Sequence, residues 1–337
     1  MDIIVCGAQV PHMRGGAEML MDNLVNACNE HGHRAELVRL PVAWDKGRLF
    51  DAPTAWRLVP LDCDLVIAIN FPSYFARHDN KVVWLAHQHR GAYDSADAAW
   101  SDFDLGDDSL ETQRLLTEWD NVALGEAKRI FTTSGVVADR LARFNGMRGE
   151  PLYHPPPLHE RLHSGGFGDV VFCPSRLEHN KRPGLLVDAL PSIDPSIRLS
   201  IAGRGSLHDE LVASASASRS ADRLDLPGFI TDEDLVERFS SCLAVLYAPV
   251  DEDYGYVTLQ AFFAGKPVIT AVDSGGVLEW VEDGVTGLVT DGTPAGVADA
   301  VNRLAADRGL AERLGKAGRE KVADLGWGPV VERLTAP

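Results

Sequence analysis

Positive charge is the scarce commodity in this chain. Its 337 residues hold 32 Lys plus Arg against 49 Asp plus Glu, a formal net charge of -17. Such a surface repels nucleic acid and anionic lipid, leaving phosphate binding to a local basic pocket and membrane contact to a local patch. Cysteine is sparse as well. The five cysteines stand at 6, 28, 63, 173 and 242, no two at CxxC spacing, so neither a zinc knuckle nor a redox pair is expected. Cys6, Cys173 and Cys242 lie inside apolar runs and read as buried thiols, which favours a reducing, cytoplasmic compartment. The opening MDIIVCGAQVP has no basic region and no long apolar stretch follows, so no signal peptide or transmembrane helix is expected. The dinucleotide fingerprint GxGxxG is missing too: the first strand runs into GAQVPHMRGGAE, and Gly203-Arg204-Gly205 has no third glycine at the required spacing.

What is present is an alternation of short apolar runs and amphipathic stretches. DIIVCGA (2–8), RAELVRL (34–40), DLVIAIN (64–70), KVVWLAH (81–87) and AKRIFTTS (127–134) read as strands. A helix over 15–32 and another over GVVADRLARFNG lie between or after them. The pattern restarts with DVVFCPSR (169–176), IRLSIAGRG (197–205), LDLPGFI (224–230), LAVLYAP (243–249), KPVITA (266–271) and TGLVT (286–290). Thr231 is placed to cap the helix of TDEDLVERFSSC, and the long C-terminal helical stretch is expected to break near Gly309. Strand–helix alternation predicts parallel sheets covered on both faces, and the length suits two domains. We expect an α/β chain with an N-terminal domain over 1–150, a Pro/Gly-rich linker over 151–168, a second Rossmann-like domain over 169–325 and a tail helix over 326–337. The acid-rich stretch 92–124 is expected as an insertion, first of all a solvated loop with a short helix; Trp100, Phe103 and Trp119 are unusual in such a loop and keep open a lid or acceptor-binding insertion. Two such domains make a cleft, and ligands bind beyond the C-terminal ends of parallel strands.

Several strand ends carry chemistry. Arg176 and Lys181 follow a buried strand, and an arginine fork beside a lysine point charge can hold a diphosphate; two ordinary surface cations are the plain alternative. Arg182 reads as solvent-facing. Gly203 and Gly205 can let backbone approach a ligand, although strand-end turns use glycine anyway. Gly15 and Gly16 precede a helix whose first amides can hold a phosphate or sugar oxygen, or are a simple glycine-rich cap. His87 and His89 end a strand. No third zinc ligand is positioned beside them, so His87, ahead of His89, is read as a hydrogen-bond donor to a sugar hydroxyl or phosphate. In DEDYGYVTLQAFFAGKPVIT (251–270), acids crowd a strand end and Gly255 opens a helix. Carboxylate acceptors for hydroxyls then stand beside amide donors for phosphate, a combination that suits a sugar joined to a diphosphate. Gln260 both donates and accepts and adds no second like charge beside Glu252; its plain alternative is a solvent-facing helix residue.

In this order and spacing, SRLEHNK, AGRGS, GFITDEDL, DEDYGYVTLQAFFAGKPVITAVDSGG and EDGVTGLV resemble the family 4 glycosyltransferases, with RGGAE and EHGHRAELV also matching. The resemblance implies a GT-B fold, two Rossmann-like domains facing each other across a cleft, and a retaining, metal-independent transferase of the EC 2.4 class. The donor it implies is a UDP- or GDP-linked sugar, held mainly by the second domain. It assigns Arg176 and Lys181 to the donor diphosphate and Glu252 to sugar hydroxyls, as the first member of an E-x7-E motif. Tyr254, Gly255 and Tyr256 fall on the step whose amides meet the donor and Ile230 on a position near the base, while Gly203 and Gly205 lie within the matching AGRGS stretch and are expected beside the donor. Gly15 and Gly16 match a loop over the phosphates and acceptor, and His87 a histidine at the reacting centre. Gln260 replaces the second glutamate, the usual ribose ligand, so the motif here is E-x7-Q. No cofactor and no metal are implied, and 251–253 are not read as a DxD site. The acceptor is a small molecule or glycan; the acid-rich 92–124 favours a polar or cationic one. A non-hydrolysing nucleotide-sugar epimerase and a weakly active nucleotide-sugar-binding protein are the alternatives. Oligomeric state is not legible in the sequence.

Overall fold

The computed structural model describes all residues except 11–14, 95, 97–102, 104–105 and 218–220. The chain divides into two compact units, Met1–His154 with Gly326–Pro337, and Pro155–Leu325.

The first unit alternates β1 (Asp2–Gln9), α1 (Gly16–Glu30), β2 (Arg34–Pro41), α2 (Asp51–Trp56), β3 (Leu65–Asn70), β4 (Lys81–His87), α3 (Asp107–Gly125), β5 (Arg129–Thr132), α4 (Gly135–Asn145) and β6 (Glu150–Pro151). Its strands pair in parallel in the order β2-β1-β3-β4-β5-β6. The continuous apolar runs of β3 and β4 are buried on both faces, as strands between two helical layers must be. Alternate residues go to opposite cores. Ile67, Ile69, Val82 and Trp84 meet α1 on one face, and Val66, Ala68, Val83 and Leu85 meet α3 and α4 on the other. α4 starts where the Ser134 side chain accepts the Val137 N–H and stops at Gly146, which is left-handed (φ 64°).

The second unit holds β7 (Val170–Pro174), α5 (Gly184–Ala189), β8 (Arg198–Ala202), α6 (His208–Ala217), β9 (Leu224–Gly228), α7 (Asp232–Ser241), β10 (Ala244–Leu246), α8 (Tyr256–Phe263), β11 (Val268–Ala271), β12 (Gly287–Thr290), α9 (Pro294–Ala306) and α10 (Arg308–Lys321). Its parallel sheet runs β12-β11-β10-β7-β8-β9, the doubly wound order, with its direction reversing between β7 and β10. One core joins the sheet to α5, α6, α9 and α10 through Val171, Cys173, Leu199, Ile201, Ala244 and Ile269 with Leu186, Val301 and Leu314. The last helix, α11 (Trp327–Thr335), belongs to the first unit. Val330, Val331 and Leu334 enter its core, and Arg129 donates to the carbonyls of Arg333 and Leu334.

Several local expectations change. The stretch 92–124 is largely α3, a helix of 19 residues rather than a solvated loop with a short one. Leu116, Ala123 and Leu124 pack into the core, and Asp120 is fully buried. Phe103 is buried as well, whereas Trp100 lies outside the described residues. Residues 155–168 pack on the second unit, with the Gly165 and Gly168 amides donating to the Ser240 and Ser241 carbonyls. The C-terminal helices part at Asp307, whose side chain accepts the Leu310 N–H, and Gly309 falls in the first turn of α10. All three cysteines read as buried are so, Cys28 is buried too, and Cys63 is half-buried. Among the described residues no helix is long and apolar enough to cross a membrane.

Candidate functional site at the strand ends of the second unit

The loops that follow β7 and β10 flank the point where the second sheet reverses its strand order, the position at which such sheets leave a crevice. The β7 loop carries Arg176 and Lys181, and the β10 loop carries Glu252. Both are held by backbone. Ser175 N–H donates to Ala202 O, and Leu177 N–H to Arg204 O, so the first loop is laid along the turn at Gly203 and Gly205. A Cβ on Gly203 would stand 1.9 Å from Ser175 O, and one on Gly205 2.3 Å from Leu177 O. The glycines expected to admit a ligand are thus already required by the close passage of the Arg176 loop.

Arg182 corrects the reading of a solvent-facing cation. Its backbone is left-handed (φ 47°), and its guanidinium turns inward. Nε donates to Ala248 O at 2.7 Å, one terminal nitrogen to Pro249 O at 3.1 Å, and the fork grips Asp273 at 2.6 and 3.0 Å. Val250 N–H donates to Asn180 O, Asp251 N–H to Asp273 O, and Gly276 N–H to Glu252 O. Three loops, after β7, β10 and β11, are thereby stapled into one floor.

On that floor Lys181 Nζ forms an ion pair with Glu252 Oε2, and the Tyr247 hydroxyl donates to the same oxygen at 2.6 Å. Lys181 Nζ also lies 3.4 Å from the Tyr247 oxygen. Burial opposes ionisation of Glu252, but the Lys181 charge, with the Lys181 and Tyr247 hydrogen bonds, outweighs it and holds the carboxyl below its usual range. Burial first, then the Glu252 charge, pushes the Tyr247 phenol well above its ordinary range, so it remains a donor. Arg176 is exposed, and among the described residues its side chain makes no ion pair or hydrogen bond. The cluster therefore offers one uncommitted guanidinium, one partly neutralised ammonium and one carboxylate.

Around it stand the other expected residues. Gly255 is left-handed (φ 83°) at the start of α8, a conformation suited to glycine. Tyr254 is buried against Tyr256 and Trp280 at ring distances of 5.6 and 6.4 Å. Gln260 is buried, not solvent-facing, and its Nε2 donates to Pro157 O at 3.2 Å. Ile230 is half-buried just before the Thr231 cap of α7, and Gly203 N–H donates to Gly228 O beside it. Sequence reasoning did not find Tyr247, Arg182 or the Arg204 guanidinium lying 5.6 Å over the exposed Phe229 ring. An aromatic one residue past a buried strand was the signal available for Tyr247.

The remaining candidates belong to the first unit. His87 ends β4 half-buried, with Nδ1 2.8 Å from Gln88 O. A carbonyl only accepts, so Nδ1 carries a proton and the neutral ring offers Nε2 as an acceptor. His87 donates from Nε2 only when protonated, which narrows the expected donor role. His89 stacks on Trp44 at 5.5 Å and lies near Phe71 and Phe103, a packed aromatic group. Gly15 gives its N–H to Glu18 Oε2 at 2.8 Å, and Gly16 follows as the first residue of α1. The loop before them, residues 11–14, lies outside the described residues. Among the described residues no three His, Cys, Asp or Glu side chains cluster as a metal site.

Residues 161–321, which contain both loops, match the family model for glycosyl transferases group 1. The GDP-mannose-dependent alpha-(1-6)-phosphatidylinositol monomannoside mannosyltransferase of Mycobacterium tuberculosis is 35% identical over 225 residues, 63% of this chain and 56% of that protein. Human alpha-1,3/1,6-mannosyltransferase ALG2 is 35% identical over 94 residues, 28% of this chain and 22% of its own length. The chain thus spans little more than half, or less, of these curated relatives. Sucrose-phosphate synthase from Thermosynechococcus elongatus superposes with a TM-score of 0.79 at 17% identity, covering 99% of this chain and 97% of that one. Anabaena HepE in complex with UDP and glucose gives 0.73 at 17% identity, covering 99% and 98%. The chain has the GT-B fold, and its residues 161–321 are similar to the glycosyl transferases group 1 family.

Proposed function

We propose that this chain is a retaining glycosyltransferase that moves a sugar from a UDP- or GDP-linked donor to a hydroxyl of a small-molecule or glycan acceptor. The observation that carries the reading is the cluster at the strand-order reversal of the second unit: Arg176 uncommitted, Lys181 charged, and Glu252 ionised beside them. The group 1 model over 161–321, GDP-mannose in the name of one relative and UDP with glucose in one solved neighbour support a nucleotide-sugar donor.

The chemistry follows from charge. As the bond between the anomeric carbon and the phosphate oxygen breaks, negative charge builds on the departing diphosphate. Arg176 and Lys181 stabilise that charge, together with the amides at the start of α8, Gly255 and Tyr256. Glu252 accepts hydrogen bonds from sugar hydroxyls, and Gln260 Oε1 is the acceptor for the ribose. Ile230 and the glycine turn at Gly203 and Gly205 border the base. The acceptor oxygen forms its bond to the anomeric carbon on the face the diphosphate leaves, and a donor phosphate oxygen takes its proton. Configuration is retained without a protein nucleophile. In the first unit His87 accepts from a sugar hydroxyl, with Gly15 and Gly16 on the phosphate and acceptor side. The reaction draws on no resident cofactor or metal. The acidic surface and buried thiols suit work in the cytoplasm.

The test is calorimetry with UDP, GDP and a panel of their sugars, followed by mass and NMR analysis of products with candidate acceptors. Uptake of one nucleotide series and an α-configured product from an α-linked donor are expected. An epimerised sugar nucleotide with no transfer would favour the epimerase alternative. Binding with no turnover across acceptor classes would favour the binding protein, and no nucleotide uptake at all would end the reading.

A further inference from the structure

The Lys181–Glu252 pair has a third member that neither the sequence motifs nor the donor chemistry calls for. Tyr247 sits one residue past β10, 5% exposed, with its hydroxyl 2.6 Å from Glu252 Oε2 and 3.4 Å from Lys181 Nζ. A buried phenylalanine would fill the same space, so the hydroxyl needs its own explanation. Both donors converge on one carboxylate oxygen. Among the described residues no donor is bonded to the other, Oε1. A carboxylate that accepts two hydrogen bonds at one oxygen cannot turn freely, and its second oxygen points away from both donors.

We propose that Tyr247 is a positioning residue: by holding Glu252 Oε2 together with Lys181, it fixes Oε1 toward the hydroxyls of the donor sugar. This rests on the proposed transferase reading. The hydroxyl also shares the load on Lys181. When a diphosphate draws Lys181 toward itself, Tyr247 keeps Oε2 occupied, so the carboxylate remains ionised and oriented while its lysine partner is divided between two anions. The charged groups that bear on Glu252 are Lys181 on the β7 loop and Asp253 next to it in sequence; the charge of Arg176 reaches Tyr247, and Asp273 is occupied by Arg182.

The experiment compares wild type with Tyr247→Phe, which keeps the ring, in two backgrounds, Glu252 and Glu252→Gln. UDP or GDP alone, lacking a sugar, should bind Tyr247→Phe within about twofold of wild type. Turnover of the matching nucleotide sugar should fall by about 10- to 100-fold, the loss of one hydrogen bond to a charged group, mostly in kcat. The acid limb of the kcat/KM profile should move to higher pH, because removing a donor to the ionised carboxyl favours its protonated form. In the Glu252→Gln background the same substitution should change turnover by less than about threefold. Equal losses for nucleotide and nucleotide sugar would make Tyr247 a structural residue and overturn the proposal, as would unchanged turnover, an unmoved acid limb or full additivity with Glu252→Gln. Failure of wild type to bind any nucleotide would instead remove the transferase reading beneath it.

Discussion

Each unit reverses its strand order once, and the two reversals are built in opposite ways. In the first unit the point lies between β1 and β3, where a neutral side chain is buried: Asn70 is 4% exposed, and its Oδ1 accepts the Ala8 N–H at 3.1 Å. In the second unit the point lies between β7 and β10 and holds charge: Lys181, Glu252 and Arg176 on loops stapled by Arg182. An amide already bonded to backbone needs no ligand to satisfy it. A charged reversal keeps an uncommitted cation whose natural complement is an anion. The same topology therefore places a self-satisfied amide at one reversal and an uncommitted charge at the other.

The sharpest way to break that comparison is to remove the uncommitted charge. Arg176→Ala should leave thermal stability within about 0.5 kcal/mol of wild type, because an exposed side chain without partners is lost. Sugar transfer should fall by about 10²- to 10³-fold, the scale of one preorganised donor to a charge that develops in the transition state. Unchanged turnover would show that the charged reversal is not where the donor sits.

The first unit stores its anomaly deeper, away from its strand ends. Asp120 on α3 is fully buried and accepts the Tyr93 hydroxyl at 2.5 Å. Burial raises its pKa to about 7, against the opposing pull of the Tyr93 hydrogen bond. A raised folded-state pKa gives stability that is present below the unfolded value, about 3.9, and lost as pH rises toward 7. Asp120→Asn should remove that dependence. The difference between variant and wild type, measured by urea titration, should grow in the variant's favour from pH 4.5 to pH 7 by on the order of a few kcal/mol. A difference that stays flat across this range would mean that Asp120 is ionised in the folded chain.

Between these extremes stands Arg182, which turns the β7 and β10 loops into one floor. Arg182→Ala leaves the Ala248 and Pro249 carbonyls without their donor and Asp273 without its fork. A loss of about 2–3 kcal/mol of stability is expected, with turnover reduced through a displaced Glu252. If stability falls while turnover per folded molecule is unchanged, the staple has no part in holding the site.

The sequence carried the strands well and these polar devices poorly, for physical reasons. β3 and β4 are uninterrupted apolar runs, and only a sheet between two layers explains them. α3 escaped because an acid occupies a core position: Asp120 interrupts the apolar spacing of Leu116, Ala123 and Leu124, so the segment read as solvated. Arg182 read as a surface cation because its partner Asp273 is 91 residues away and its left-handed backbone leaves no mark on a single sequence. The loops bearing Lys181 and Glu252 were legible as polar stretches after apolar runs, and the structure brings these two side chains together. Tyr247 was not, since a tyrosine beside LAVL reads as one more core aromatic. Gly203 and Gly205 were visible as special, but their nearest cause is the passing Arg176 loop.

The smallest expected effect concerns the residue that departs from the resembled motif. Gln260 sits on the second-unit side of the comparison, one helix from the charged reversal, yet its Nε2 donates inward to Pro157 O on the segment that leads into the unit. A carboxylate at 260 has no proton to give, so it would face that carbonyl oxygen as like to like, and its burial would favour the neutral acid. Gln260→Glu should therefore cost about 1–2 kcal/mol in the absence of nucleotide, the scale of one buried carbonyl left without its donor. The loss should shrink at low pH, where the introduced carboxyl is protonated and can donate again. A melting series from pH 4.5 to pH 8 reads both effects, and donor KM should be no lower than in wild type. A variant equally stable at every pH, with tighter donor binding, would mean that the amide at 260 is an incidental replacement and that the Pro157 contact holds nothing in place.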